Sequence, residues 1–243
     1  MKRYILFIGL LLTFSNLTAQ KKVVKKVASS NITDVFVHLR FAQNIIVKNW
    51  NKNEISVEAT VNLNNNKEND KFSLMVNKIG NTFKVKSDYG DLFKKHKNNV
   101  TITHKGEGCN GYNFCSNHNN VVVDYVIYVP KKMELKIKSI SGNVEANDYV
   151  GILNLNLISG NITVKKHSKD MLLKTISGDI DIFVSDATFE AKTLTGGIYS
   201  DLDIDFDKNM KKGFGSKLIA TIKKGTASLK LNTISGDIFL RKI

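Results

Sequence analysis

A five-residue tract that returns at a fixed interval constrains the fold of this chain more than any other feature. Each copy holds an aliphatic residue, a Ser-Gly or Thr-Gly pair, one further Asn, Asp or Gly and a second aliphatic residue, at residues 140–144, 158–162, 176–180, 194–198 and 234–238. The first four copies are 18 residues apart, and the fifth follows the fourth by 40 residues, which is two periods plus four. We therefore expect one degenerate rung with a small insertion near Gly213.

Equivalent positions in the copies share one polarity. The apolar columns are Leu135, Leu153, Met171, Phe189 and Leu229, then Ile137, Leu155, Leu173, Ala191 and Leu231, then Val144, Ile162, Ile180, Ile198 and Ile238. The residues that follow the second column are polar, namely Lys138, Asn156, Lys174, Lys192 and Asn232. Such alternation predicts strands with one buried face, and copies stacked about 4.8 Å apart can bury faces that a single copy cannot. The pattern therefore predicts an all-β fold, a single β-solenoid with 18-residue rungs over residues 131–243.

The Ser-Gly pair breaks the alternation and predicts a corner in each rung. Gly reaches backbone angles closed to other residues, and Ser, Asn and Asp can hydrogen-bond their own backbone in turns. The predicted turn residues are Ser141, Gly142, Ser159, Gly160, Ser177, Gly178, Thr195, Gly196, Ser235 and Gly236. The polar residues that follow, Asn143, Asn161, Asp179 and Asp237, form either ladders along these corners or a set of ligands.

Residues 21–130 are expected to form an irregular β part that continues into the repeats. Short runs rich in Val, Ile, Phe and Thr give the strand candidates, at residues 35–39, 44–47, 55–59, 72–76, 82–85 and 121–129. A polar turn is expected at 62–70 and a long loop at 88–120. This part would supply atypical rungs and a cap.

Residues 1–20 have the pattern of a signal peptide. Lys2 and Arg3 precede an apolar run at 4–12, and small and polar residues end at Ala19 and Gln20, where we expect cleavage. The run is far shorter than the roughly 20 residues of a spanning helix. We therefore expect an exported protein of the periplasm or cell surface, with no transmembrane segment after cleavage.

The chain is strongly basic. It carries 36 Lys and Arg residues against 22 Asp and Glu, a formal net charge of +14, which becomes +12 without residues 1–20. This balance favours anionic polymers or an envelope surface as partners, although it also serves solubility. Arginine, which phosphate-reading sites favour, occurs only three times, so we expect no nucleic-acid partner. The predicted contact for an anionic glycan is the column Lys138, Lys174 and Lys192.

Cys109 and Cys115 are the two cysteines of the chain, and they enclose five residues of the long loop. In an exported protein such a pair is a disulfide candidate. Two alternatives stay open: a metal site with His96, His104 and His118, or two free thiols.

Four aspartates alternate with apolar residues at Asp201, Asp203, Asp205 and Asp207. A calcium loop would need Gly and Glu where Lys208 and Phe214 stand, so this run predicts a strand with an acidic outer face.

Motifs for catalysis are missing from the sequence. It contains no Gly-x-Ser-x-Gly elbow, no His-Glu-x-x-His pair and no phosphate-binding glycine loop. Lys174, Asp179 and Asp181 could form the cluster of a polysaccharide-cleaving β-helix enzyme, but Asp181 lies between two apolar residues and is predicted to face water. We expect a protein without enzymatic activity, cofactor or metal.

The Ser-Gly-Asp-Ile tracts at 177–180 and 235–238 resemble the recurrent signature of the bacterial putative-adhesin domain family. The segment 47–55 around Trp50 is similar to the early strand-Trp-turn-strand element of that family, as are Val129-Pro130 and Gly213-Phe214-Gly215 to later elements. The resemblance implies an exported β-solenoid related to the head domain of autotransporter adhesins, and it implies no catalytic residues.

The first hypothesis is therefore a non-catalytic scaffold or binding module of the cell envelope. The alternatives are a polysaccharide-active enzyme and an envelope accessory that binds a membrane-protein partner.

Overall fold

The structure is a computed structural model, and it describes residues 20–93, 119–166, 169–204 and 215–243. Its regular elements are β-strands and one short 3-10 helix, so the prediction of an all-β fold is confirmed. In chain order the strands are β1 (Lys21–Ala28), β2 (Asp34–Leu39), β3 (Asn44–Trp50), β4 (Glu54–Leu63), β5 (Ser73–Ile79), β6 (Thr82–Asp88), β7 (Val121–Pro130), β8 (Glu134–Ser141), β9 (Asn143–Glu145), β10 (Leu153–Ser159), β11 (Ile162–Val164), β12 (Met171–Lys174), β13 (Ile180–Val184), β14 (Ala187–Thr193), β15 (Ile198–Ser200), β16 (Ser216–Ile222), β17 (Ser228–Thr233) and β18 (Ile238–Lys242). The 3-10 helix, η1 (Asn69–Lys71), precedes β5.

The strands of the described residues form two nine-stranded sheets. Sheet A has the order β1-β4-β7-β3-β9-β11-β13-β18-β15, and sheet B has the order β16-β14-β17-β12-β10-β8-β2-β6-β5. Inward side chains of both sheets join in one apolar cluster, while alternate side chains face outward. Each repeat contributes one strand to sheet B, turns at its Ser-Gly corner and contributes the next strand to sheet A.

The 18-residue period appears directly in the strand register. Leu153 pairs with Leu135 on one side and with Met171 on the other, in parallel strands of sheet B. Ile162 pairs in the same way with Val144 and Ile180 in sheet A. Equivalent residues of the first three copies therefore lie side by side, and their apolar columns become continuous rows of the core.

The spatial order of the layers differs from the chain order. Leu229 of the fifth copy pairs with Met171 of the third copy and with Phe189 of the fourth, so the fifth copy lies between them. The expectation of a degenerate rung between copies four and five is wrong, because these copies are direct neighbours. Residues 216–222 instead form β16, which pairs antiparallel with β14 at the edge of sheet B. The fifth copy carries the same apolar columns as the others, so it fits between any two of them.

The N-terminal part shares both sheets with the repeats. Val35 of β2 pairs with Leu135 and Phe83, and Ile45 of β3 pairs with Val144 and Tyr125. Strands are present at every candidate segment predicted in this part. Strand β1 was not predicted, because this edge strand is partly in water on both faces and its sequence, KKVVKKVA, lacks clear alternation.

Corner glycines allow successive layers to approach closely. Gly160 and Gly178 have φ values of +134° and +147°, which favour glycine. A Cβ atom added to Gly178 would lie 2.2 Å from the carbonyl oxygen of Gly160, and one added to Gly236 would lie 2.1 Å from that of Gly178. The corner of one layer is therefore packed directly against the backbone of the layer before it.

We expect Gly178→Ala to lower the free energy of unfolding by roughly 3 kcal/mol or more, since it combines backbone strain with a clash that only backbone movement can relieve. Chemical denaturation would measure this. The matched control is Gly80→Ala, where φ is +57° but the added Cβ meets nothing within 4 Å, so strain alone costs about 1–2 kcal/mol. Equal losses in the two variants would contradict close packing at the corners.

Candidate functional site

The outer face of sheet B carries a continuous line of basic and polar side chains that crosses eight strands. We call it the cationic row, and its members in spatial order are Lys86, His38, Lys138, Asn156, Lys174, Asn232, Lys192 and Lys217. Lys217 precedes the buried Leu218 and the other residues of the row each follow an inward-facing core residue, so strand alternation directs them to solvent. The row joins the three predicted lysines, Lys138, Lys174 and Lys192, in one straight line.

Lysines in the cationic row recur on every second strand from β6 to β14. His38, Asn156 and Asn232 lie between them, which separates Lys86, Lys138, Lys174 and Lys192 by about 10 Å each. Like charges directly opposite each other on neighbouring strands are destabilising, so the uncharged members reduce repulsion along the row.

One end of the cationic row is neutralised and the other is not. Glu190 of β14 accepts ion pairs from Lys192 at 2.7 Å and from Lys217 at 3.1 Å. Lys138 and Lys174 make no ion pair with any described residue, and Lys138 Nζ lies 5.9 Å from the Phe36 ring centroid. The strongest positive potential therefore lies over β6 to β12. Of the three lysines predicted to contact a glycan, Lys192 is already paired with a carboxylate.

The two lysine contacts shift the titration of Glu190. Hydrogen bonds from Lys192 and Lys217 to its side chain lower its pKa from 4.5 to about 2. The carboxylate is therefore ionised at neutral and mildly acidic pH, and there it offsets one of the two positive charges at this end of the row.

His38 reports the potential at the opposite end. It lies between Lys86 and Lys138 in the parallel ladder. Partial burial, followed by repulsion from the charges of Lys86 and Lys138, lowers the pKa of His38 below its ordinary 6.5. The imidazole is therefore neutral at neutral pH, and an anion bound to the row would favour its protonation.

The polar residues after the Ser-Gly pairs form a ladder along the corners. Asn143 Oδ1 accepts the backbone N–H of Asn161 at 3.0 Å, Asn161 Oδ1 accepts that of Asp179 at 2.9 Å, and Asp179 Oδ1 accepts that of Asp237 at 2.8 Å. Asp237 Oδ1 continues the series with Gly197 N at 2.8 Å. These oxygens satisfy backbone donors of the next layer, which argues against their use as a set of ligands.

A second ladder of buried hydroxyls was missed in the sequence. Thr175, Thr233 and Thr193 donate their Oγ1 hydrogens to the carbonyl oxygens of Gly160, Gly178 and Gly236, at 3.1, 2.9 and 2.8 Å. A Thr at an inward position two residues before the Ser-Gly or Thr-Gly pair of the third, fourth and fifth copies was the available signal. These bonds pair corner carbonyls that would otherwise be buried without partners.

The carboxylates considered for catalysis do not converge. Lys174 lies in the outward row of sheet B, whereas Asp181 lies in sheet A and forms an ion pair with Arg241 at 2.7 Å. Across the described ranges, no group of three or more His, Cys, Asp and Glu side chains could hold a metal ion.

The acidic run after β15 is not a strand where it is described. Residues 201–204 follow the end of β15 without regular structure, and Leu202 is buried under the stack. Asp203 instead forms an ion pair with Lys242 at 2.5 Å. The structure describes neither Asp205 nor Asp207, and it describes neither Cys109 nor Cys115.

Residues 1–19 of the predicted signal peptide also lie outside the described ranges. In the part of the chain that is described, no helix has the length and apolar character needed to cross a membrane.

Residues 131–241, which contain all five repeat copies, match the family model described as Toastrack DUF4097. The repeat part of the chain is therefore similar to that family. This confirms the resemblance found in the Ser-Gly-Asp-Ile tracts. A comparison with curated proteins found no match.

One solved structure extends the likeness beyond residues 131–241. A putative cell adhesion protein from Clostridium sporogenes aligns over 92% of this chain and 100% of its own, with a TM-score of 0.58 and 11% identity. Putative adhesins from Bacteroides fragilis and Parabacteroides distasonis align over 93% and 92% of this chain and 99% and 98% of their own, both at 11% identity, with TM-scores of 0.34 and 0.31. The first of these shows that the N-terminal part and the repeats together share the fold of that protein.

We expect His38 to titrate below pH 6.5, and Lys138→Gln to raise its pKa by removing one of the two repelling charges. The folded protein then binds fewer protons at this site than the unfolded chain, so stability falls as the pH drops below 6.5. Titration of the imidazole resonance by NMR would measure the pKa, with Lys165→Gln as the control. A His38 resonance that titrates at or above pH 6.5, or equally in both variants, would contradict this picture of the row.

Proposed function

We propose that the chain is a non-catalytic, exported binding module of the bacterial cell envelope, and that the cationic row of sheet B binds an anionic glycan. The observation that carries the proposal is a straight line of lysines, from Lys86 through Lys138 to Lys174, none of which forms an ion pair with a described residue. The signal-peptide pattern of residues 1–20 supports export to the periplasm or cell surface.

The spacing of the charges suits an extended polymer. Lysines that recur at about 10 Å along a line match a chain of acidic disaccharides better than a compact anion. Ammonium groups on flexible stems also tolerate variation in the position of a carboxylate or sulfate, whereas Arg would impose a fixed fork geometry. We therefore expect binding that depends on charge spacing and ionic strength rather than on one sugar ring.

The two parts of the chain are proposed to act as one unit. Lys86 and His38 come from the irregular part at 21–130, while Lys138 and Lys174 come from the repeats at 131–243. Strand β2 of the first part pairs with β8 of the repeats in sheet B, so the binding face would continue across the boundary as part of one solenoid-like body.

Two observations favour binding over cleavage. Asp181 is engaged by Arg241, and Asp179 accepts a backbone N–H of the neighbouring layer. Both carboxylates lie past the Ser-Gly corner, on the sheet A side, whereas the cationic row lies on sheet B. A polysaccharide-cleaving site would instead need carboxylates that converge beside the bound chain.

We expect the double variant Lys138→Glu, Lys174→Glu to weaken retention on immobilised alginate about tenfold at low salt, because two exposed favourable contacts become repulsive. Alginate is a plain polyuronate, so elution along a salt gradient reports charge recognition. The matched control is Lys165→Glu, Lys166→Glu, which makes the same change in net charge at exposed positions outside the row. Equal weakening in both double variants would reduce the effect to net charge and would overturn the proposed site.

The ion pairs of Glu190 lead to a prediction of opposite sign. Glu190→Gln should release the charges of Lys192 and Lys217 and strengthen retention roughly threefold, since it extends the unpaired part of the row by two strands. Glu54→Gln, which releases Lys26 on β1 of sheet A, serves as the control. The same elution assay compares them, and a gain in both variants, or in neither, would contradict binding along the whole row.

A further inference from the structure

A line of exposed aliphatic side chains runs along the corner edge of sheet B. We call it the aliphatic ridge, and its members in spatial order are Ile140, Ile158, Ile176, Ile234 and Leu194. The last four are 44–50% exposed, whereas the aliphatic residues of the inward columns are almost completely buried. Every repeat copy therefore contributes one large apolar side chain to this line. These side chains add much less to the core than the inward aliphatic residues do.

The ridge lies parallel to the cationic row and directly beside it. Ile140, Ile176 and Leu194 each follow a lysine of that row by two residues, which places the two lines about 7 Å apart on one face. Each ridge residue is adjacent to its counterpart in the next layer, so the five side chains extend over about 19 Å.

The charges on and beside the aliphatic ridge are mostly positive. Beyond Ile140 the line continues to Arg40, whose guanidinium lies 5.4 Å from the ring centroid of Phe41. Asp88 of β6, two residues beyond Lys86, is an acidic side chain at the far end of this line, past Arg40 from the ridge. Glu190 lies one row further from the ridge. Asp179 and Asp237 lie past the Ser-Gly corner, where their oxygens accept backbone N–H groups.

We infer that this face docks on an anionic lipid surface, with the aliphatic ridge in the interfacial layer and the lysines beside it against the headgroups. Interfacial binding depends on buried apolar area together with attraction between basic residues and anionic lipids. The aliphatic ridge offers the first and the cationic row the second, in parallel lines. The inference goes beyond glycan binding and shares only the cationic row with the proposed function.

The narrow width of the aliphatic ridge favours a membrane over a protein partner. A stable protein interface buries about 800 Å² on each partner, whereas the ridge is a single side chain wide. A bilayer requires no complementary shape, so five aligned side chains and the adjacent cations can enter its surface together. Aliphatic residues scattered singly on a surface would need no explanation, but an aligned series that faces water in successive copies does.

The test is sedimentation with vesicles of phosphatidylcholine and phosphatidylglycerol in equal parts, compared with phosphatidylcholine alone. We expect the purified chain to bind the mixed vesicles and not the neutral ones. The double variant Ile158→Thr, Ile176→Thr should bind the mixed vesicles about tenfold more weakly, because it removes apolar area from the centre of the ridge. Its retention on alginate should be unchanged, since the cationic row is intact.

The control is Ile79→Thr, Ile219→Thr, which replaces two equally exposed residues of edge strands outside the ridge, 53% and 58% exposed. Circular dichroism and thermal unfolding verify the fold of each variant, and Ile158→Thr and Ile176→Thr are tested singly if the double variant is unstable. Parental chain that fails to bind mixed vesicles, or ridge variants that bind like the control, would overturn the inference while alginate retention still stands. Vesicle binding without alginate retention would support the inference and refute the glycan proposal.

Discussion

Contact between the backbones of successive corners is the interaction on which the rest of the structure depends. At the corners of the second to fifth copies the glycine leaves no room for a side chain, and its Cβ would lie about 2 Å from the carbonyl oxygen of the neighbouring layer. The amide of Gly160 also donates to Ser177 O at 2.9 Å, so the same corner is fixed by a hydrogen bond. A slip of one residue would drive a Cβ into that carbonyl and turn every core side chain to the other face. The register of the whole stack is therefore determined at its corners.

The same contact explains why the layers need not follow the chain order. A layer needs only a glycine at the point where it meets the corner backbone of its neighbour, and every copy has one. Gly236 approaches Gly178, and Gly196 in turn approaches Gly236, so the fifth copy separates the third from the fourth. At the other end Ala42, on the turn between β2 and β3, is the neighbour of Gly142. Layers that are interchangeable in their contacts can thus be inserted by long connections without a change in the packing rule.

This equivalence also marks the limit of what could be predicted from the sequence. The period, the inward columns and the strands of the N-terminal part other than β1 follow from local patterns, and the structure has them. The position of the fifth copy does not, because its columns match those of every other copy. The contact between Glu190 and Lys192 was within reach, since residues two apart on a strand share a face, but the contact with Lys217 depends on the antiparallel pairing of β16, which no periodic pattern encodes.

A stack built by this rule presents lines rather than pockets on its outside. Parallel strands in register place equivalent outward residues about 4.8 Å apart, so any residue type repeated in the sequence becomes a straight row on the surface. Such rows suit extended or flat partners, because many weak contacts act together and each side chain contributes only a part of the affinity. Alternation of Lys with Asn and His limits repulsion within the row while leaving the face positive. Function in such a fold is therefore carried by the spacing and alignment of ordinary residues, and for that reason the sequence contains no isolated motif that identifies it.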